Sequence, residues 1–241
     1  MKIAVCFLST IKNHFNYKEL KKQANNSKLH KVDIYYYINN EKYDYKYKKK
    51  IIYIYFKYWY LKEKLKYNHT YCYTDYIGST FLCWIDMYYK HKNKYDIYMF
   101  YEDDLSYFGK ENIFDKINFN SDIIIQSKYF NAKYDNWPWS TYTDYTIENK
   151  NYIIYHSLMN IYAANSFFIE GLIKFMTNNF MHHEGLIPTY ALNNNYKIDY
   201  INKYISLNCT HLNNMNDYNY DLLHPIKTLR KYNKIKQLKN T

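Results

Sequence analysis

Three consecutive carboxylates, Glu102, Asp103 and Asp104, follow the apolar run Ile97-Tyr98-Met99-Phe100-Tyr101. A short continuous apolar run reads as a strand covered on both faces, and in an open α/β sheet its carboxyl end faces the ligand crevice. Carboxylates crowded there repel one another. A hard divalent cation such as Mn²⁺ or Mg²⁺, carrying a phosphorylated substrate, relieves that repulsion. A solvated acidic turn after a strand has the same letters, so both readings stay open at this stage.

Other segments bear reactive side chains. In Met181-His182-His183-Glu184-Gly185-Leu186-Ile187-Pro188-Thr189, Glu184 opens a helix, where the helix dipole favours an acid whatever its role. The HExxH spacing of zinc proteases is missing from it. In Asp221-Leu222-Leu223-His224-Pro225-Ile226-Lys227, an imidazole that suits Mn²⁺ stands three residues before an ammonium that suits phosphate. His211, after Cys209-Thr210, competes with His224 for that place. Ser9 and Thr10 close the first strand, where they either contact a nucleotide base or form a plain turn. Gly78, Ser79 and Thr80 offer amides and hydroxyls at a helix start, which an ordinary N-cap also requires. Trp137-Pro138-Trp139-Ser140, with Tyr142 and Tyr145, forms an aromatic loop suited either to the CH faces of sugars or to packing.

An apolar strand followed by Glu-Asp-Asp resembles the DxD-type motif of GT-A fold glycosyltransferases, among them small viral and bacterial enzymes of surface-glycan synthesis. Glu102 and Asp104 stand at its two acidic positions. The segment from Tyr76 to Trp84 is similar to the glycine-containing helix start that precedes the motif in lipopolysaccharide-modifying members. The resemblance implies that Glu102 and Asp104 hold a metal, with His224 completing its shell, and that Asp104 counts among the catalytic residues. It implies that Ser9, Thr10, Gly78, Ser79, Glu102, Asp103 and Lys227 bind the nucleotide-diphosphate sugar, a UDP-sugar foremost. It further implies that Glu184 is the general base acting on a glycan hydroxyl, with inversion of configuration. A carboxylate can do that work within hydrogen-bond reach of the hydroxyl. The match at Glu184 is partial, because the second downstream carboxylate of the family pattern is missing.

The 241 residues carry 33 Lys and Arg against 22 Asp and Glu, a net charge of +11, and 48% are hydrophobic. That apolar mass excludes a disordered tail. Arg230 is the one arginine, so the basicity lacks the bidentate reader that sequence-specific nucleic-acid recognition favours. The abundance of Lys, Asn, Ile and Tyr matches A/T-rich codons. No apolar run approaches the ~20 residues that span a bilayer, and no cleavage-site pattern follows the first strand. Cys6, Cys72, Cys83 and Cys209 show no CxxC pair, which predicts buried thiols in a reducing compartment and a cytoplasmic location.

Strands are predicted at 3–8, 33–38, 51–56, 96–101 and 122–126, with helices at 17–25 and 77–90 between them. Farther on, helices are predicted at 163–177 and 184–194 and short strands at 152–155, 197–201 and 204–209. The Tyr/Lys/Asn stretch 43–50 reads as a surface segment. This alternation predicts an α/β fold with a largely parallel central sheet flanked by helices, and the resemblance implies that the sheet is the mixed, mostly parallel one of the Rossmann-like GT-A arrangement. One catalytic domain is expected over 1–241, with a nucleotide-binding half (1–126), an acceptor half (127–225) and a basic C-terminal helix (226–241). That helix spaces Ile226, Leu229, Tyr232, Ile235 and Leu238 by threes; the stripe either packs on the domain or lies on an anionic membrane. Two other classes remain: a two-metal phosphotransferase or nuclease drawing on Asp75 and Glu184, and a noncatalytic carbohydrate or single-strand nucleic-acid module. No P-loop, GxGxxG or GxSxG is present.

Overall fold

The computed structural model describes residues 1–9, 15–39, 45–48, 51–56, 81–127, 130–131, 151–176, 179, 182–208, 220–224, 226 and 229–240. Strand β1 (Lys2–Ser9) leads through α1 (Phe15–Asn26) to β2 (Lys31–Asn39), β3 (Tyr45–Lys48) and β4 (Ile51–Phe56). Helix α2 (Phe81–His91) precedes β5 (Ile97–Glu102), β6 (Ser106–Tyr107), α3 (Ile113–Lys116), β7 (Ile123–Ile125) and β8 (Phe130–Asn131). Then come β9 (Tyr155–His156), β10 (Ile161–Asn165), α4 (Ser166–Met176), α5 (His183–Asn193) and β11 (Ile198–Tyr200). The last elements are β12 (Leu207–Asn208), β13 (Leu222–Leu223) and α6 (Leu229–Asn240).

Eight strands form one sheet in the order β11-β7-β10-β5-β1-β2-β4-β3. Only β10 and β3 run against their neighbours, so the sheet is mixed and mostly parallel, as the sequence predicts. Both faces are covered. On β1, Ala4, Cys6 and Leu8 face the layer built from α2, α4 and α5, while Ile3, Val5 and Phe7 face Tyr17, Leu20 and Ala24 of α1. Double burial is why β1 and β5 read as continuous apolar runs rather than alternating ones. Trp84, fully buried on α2, ties the helix to the sheet by donating its indole N–H to the Tyr98 carbonyl at 3.0 Å. The buried Asp86 carboxylate accepts from the Tyr37 hydroxyl at 2.9 Å and pairs with Lys90 at 2.8 Å, which offsets its desolvation.

Two helices end at left-handed asparagines. Asn93 (φ 66°) follows α2 and Asn195 (φ 57°) follows α5, a conformation that asparagine tolerates better than most residues. After α5 the Tyr196 N–H returns to the Ala191 carbonyl at 3.1 Å and closes the helix end.

Several elements depart from the sequence reading. The helix predicted over 163–177 begins only at Ser166, because Ile161–Asn165 is the strand β10, clamped antiparallel between β5 and β7. Ala163 and Ala164 favour helix locally, but the ladders on both sides override that preference. The Asn165 side chain then caps α4, accepting from the Phe168 N–H at 2.9 Å. The strands expected at 152–155 and 204–209 shrink to Tyr155–His156 and Leu207–Asn208, and within the stretch read as a surface segment Tyr45–Lys48 is an edge strand. Cys6 and Cys83 are buried free thiols as expected; Cys72 and Cys209 lie outside the described residues. The apolar stripe of α6 packs on the domain, with Tyr232 and Ile235 against Phe15, Phe108, Leu223 and Ile226. No helix among the described residues is long and apolar enough to cross a membrane.

Burial also sets the pH response. His91 lies between Tyr35 and Tyr95, and burial and the nearby lysines push its pKa down to about 4. Burial pushes His182 to about 4 as well and His183 well below the usual range. These imidazoles stay neutral in the folded chain while the unfolded chain takes up protons near pH 6.5, so stability present above pH 6.5 falls as pH drops towards 4. Thermal melts at successive pH values are expected to show this loss, with a shallower slope for His91→Phe; parallel slopes for the two proteins would contradict the assignment.

Candidate active site

Strand β5 lies between β10 and β1 near the middle of the sheet, and its carboxyl end carries the three acids. The chain turns there, with the Leu105 N–H on the Glu102 carbonyl at 3.3 Å, and enters a second sheet of order β12-β13-β6. In it β13 pairs antiparallel with β6, Leu223 opposite Ser106, which delivers His224 to the acidic turn from more than a hundred residues away. Two backbone bonds fix this return: His224 N–H on the Asn208 carbonyl at 3.0 Å and Ile226 N–H on the Asp104 carbonyl at 2.7 Å.

Glu102, Asp104 and His224 thereby place one ligand atom each within 4.8 Å of one another. The His224 Nε2 lies 2.9 Å from the Asp104 Oδ1 and 3.6 Å from the Glu102 Oε2. Burial lowers the affinity of His224 for a proton, but hydrogen bonds and charge from Asp104 and Glu102 outweigh it and raise the pKa to about 9. At neutral pH an imidazolium therefore offsets part of the charge of the two carboxylates. Ligands that each sit roughly 2.2 Å from a hard cation lie about 3 to 4.4 Å apart, so this spacing and an O,O,N donor set fit Mn²⁺ or Mg²⁺.

Asn160, which precedes β10, braces the cluster. Its amide donates to Glu102 Oε2 at 2.6 Å and lies 3.3 Å from His224 Nε2, while its carbonyl accepts from the Glu102 N–H at 3.1 Å. The buried Gln126 holds Asn160 in turn, accepting its N–H at 3.0 Å. The Asn160 Oδ1 is buried and has no hydrogen-bond partner among the described residues.

Asp103 points elsewhere. Its carboxylate accepts from the buried Ser9 hydroxyl at 2.7 Å, at the end of β1, and its carbonyl accepts from the Asn16 amide at 2.6 Å. The Asn16 amide oxygen takes the Ser106 hydroxyl at 2.5 Å. A buried polar network thus fixes the backbone on which Glu102 and Asp104 stand.

Glu184 sits in the first turn of α5, whose N-cap is His182: the imidazole Nδ1 accepts the Glu184 N–H at 3.3 Å. That nitrogen is also 3.8 Å from Glu184 Oε2. Because burial keeps His182 neutral at pH 7, this contact is no ion pair. Pro188 stands four residues after Glu184 and has no N–H to give its carbonyl. The Ser157 N–H takes that place at 2.9 Å. Residues 157–160 therefore touch Glu184 at one end and Glu102 at the other, joining the candidate base to the acidic cluster.

Of the residues singled out from the sequence, the fold gathers Ser9, Glu102, Asp103, Asp104 and His224 at one end of the sheet. Thr10, Asp75, Gly78, Ser79, Thr80, His211 and Lys227 lie outside the described residues, as does the loop of Trp137, Pro138, Trp139, Ser140, Tyr142 and Tyr145. Asn16, Ser106, Gln126 and Asn160 escaped the sequence reading. Nothing in their local sequence marks them, since their partners are reached only through the sheet register.

No protein-family profile matches the sequence, and no curated protein sequence does. Among solved structures the chain is similar to mouse xyloside xylosyltransferase 1 in its apo form, with 14% identity, 96% of this chain and 99% of that one covered, and a TM-score of 0.45. It is also similar to the apo structure of the bifunctional glycosyltransferase WbbM, with 10% identity, 82% of this chain and 38% of that one covered, and a TM-score of 0.44. Likeness at this level carries no conclusion about chemistry, which rests on the site itself.

Residues that orient metal ligands commonly change affinity 10- to 100-fold when removed. Asn160→Ala is expected to weaken Mn²⁺ binding by roughly ten-fold or more on that basis, read by paramagnetic resonance titration of the free ion. Unchanged affinity would remove Asn160 from the site.

Proposed function

We propose that the chain is a metal-dependent GT-A glycosyltransferase that moves a sugar from a nucleotide-diphosphate donor, a UDP-sugar foremost, to a hydroxyl of a glycan. The observation that carries this reading is the meeting of Glu102, Asp104 and His224 at the carboxyl end of a parallel strand. Bound by these three residues, Mn²⁺ or Mg²⁺ supplies positive charge against the donor diphosphate. Lys227 adds a point charge for the departing diphosphate. Ser9, Thr10, Gly78, Ser79 and Asp103 are assigned to the nucleotide. In this reading residues 1–126 hold the donor and residues 127–225 the acceptor.

Glu184 is the assigned base. Its carboxylate takes the acceptor proton while the acceptor oxygen bonds to the anomeric carbon. The bond from that carbon to the diphosphate breaks, its electron pair leaves with the diphosphate, and the configuration inverts. The tie from the Glu184 carbonyl through Ser157 to Asn160 and Glu102 supports this role, since it fixes the start of α5 relative to the acidic cluster.

General bases of this kind contribute about 10²- to 10⁴-fold to rate. Release of nucleoside diphosphate from a panel of nucleotide sugars, with Mn²⁺ and a glycan acceptor, is expected to fall by about that factor in Glu184→Gln, with nucleotide binding intact. Magnetic resonance of the product should show an inverted anomeric centre. Full transfer by Glu184→Gln, or a retained configuration, would overturn the base assignment, and absence of release from every donor would overturn the transferase reading.

A further inference from the structure

The positive charge of the chain gathers in two places: residues 42–66, with nine lysines against Asp44 and Glu63, and the helices α1 and α6. These helices together hold seven lysines and Arg230 against the single acid Glu19, a net +7. Codon bias would distribute lysine over the chain without regard to the fold. Here two helices from opposite ends of the sequence meet: Phe15 packs on Tyr232 with ring centroids 5.1 Å apart, and Lys236 reaches Glu19 at 3.8 Å. Each helix turns its apolar residues inward, Tyr17, Leu20 and Ala24 on α1 and Tyr232 and Ile235 on α6. Lys18, Lys21 and Lys22 of α1 and Arg230, Lys234 and Lys236 of α6 are exposed.

We propose that this two-helix face docks on the surface of an anionic lipid bilayer. Twelve-residue helices are about 18 Å long, so two of them in contact offer several exposed cations to an extended array of lipid phosphates. Since Tyr232 and Ile235 of α6 are already engaged with the domain, attachment rests on charge, each lysine adding roughly a factor of five in affinity. The exposed Leu238 at the end of α6 adds an apolar contact. A nucleic-acid partner fits less well: among the described residues of these two helices no aromatic ring is exposed for base stacking, and one guanidinium is present. The face borders the acidic cluster, since Asn16 of α1 holds the Asp103 carbonyl and Ile226, just before α6, holds the Asp104 carbonyl. Docking in this way is independent of whether the chain transfers sugars.

The test is sedimentation of the full chain with phosphatidylcholine vesicles, with and without phosphatidylglycerol, at low and high salt. The expected result is binding to the anionic vesicles alone, released by salt because exposed charges are screened. The triple variant Lys21→Glu, Lys22→Glu, Lys234→Glu is expected to bind at least ten-fold more weakly, and the matching glutamine variant, which keeps side-chain length without reversing charge, should lie between. Failure to sediment with anionic vesicles, equal binding to neutral ones, or full binding by both variants overturns the proposal. Tighter binding to a single-stranded oligonucleotide than to vesicles, lost in the same variants, would overturn it in favour of nucleic acid.

Discussion

Two carboxylates converge on one imidazole at the end of the central parallel strand, and the arrangement of the surrounding chain follows from holding them there. Glu102 and Asp104 gain nothing from each other's company, and in the chain alone they raise the pKa of His224 to about 9, so that its proton offsets part of their charge. A site that holds a proton so firmly is a site of concentrated negative potential, and a divalent cation competes for the same position. Backbone bonds from Ile226 and Asn208, side-chain bonds from Asn160 and Asn16, and the turn at Leu105 keep the groups from relaxing apart.

Each half of the chain reaches this point by a different device. The first half uses the sheet, since β1 and β5 are parallel neighbours in register, Leu8 opposite Glu102, so Ser9 and the acids emerge on the same edge. The second half uses the antiparallel strand β10, entered through Asn160, and a small three-stranded sheet that returns His224. Pro188 contributes through what it lacks: with no N–H to offer, it leaves the Glu184 carbonyl to Ser157 and so couples α5 to the segment that braces Glu102. A helix interrupted in this way trades regularity for a connection between α5 and the segment that braces Glu102.

The parallel strands of the large sheet were legible, and burial on both faces leaves an unmistakable run of apolar and β-branched residues at Ile3 to Leu8 and Ile97 to Tyr101, whereas the antiparallel strands β10 and β3 were not. Acids at the end of such a run announced the site, and His224 was legible as a candidate through residue chemistry alone. What stayed hidden depends on long-range pairing. Ala163 and Ala164 read as helix because nothing local reveals that β5 and β7 will flank them. Asn160, Gln126, Asn16 and Ser106 are ordinary polar residues until the register sets them against the acidic turn. Strands of two residues, such as β12 and β13, carry no periodicity at all, and yet β13 determines where His224 sits.

The chemistry of this site depends on whether one cation is held jointly by residues from both halves of the chain. Anomalous diffraction from crystals soaked in Mn²⁺ tests this most directly. A single peak about 2.2 Å from side-chain atoms of Glu102, Asp104 and His224 is predicted, at the ligand distance usual for hard divalent cations. A soaked crystal with no peak there, or with the metal bound by a different set of residues, would contradict it.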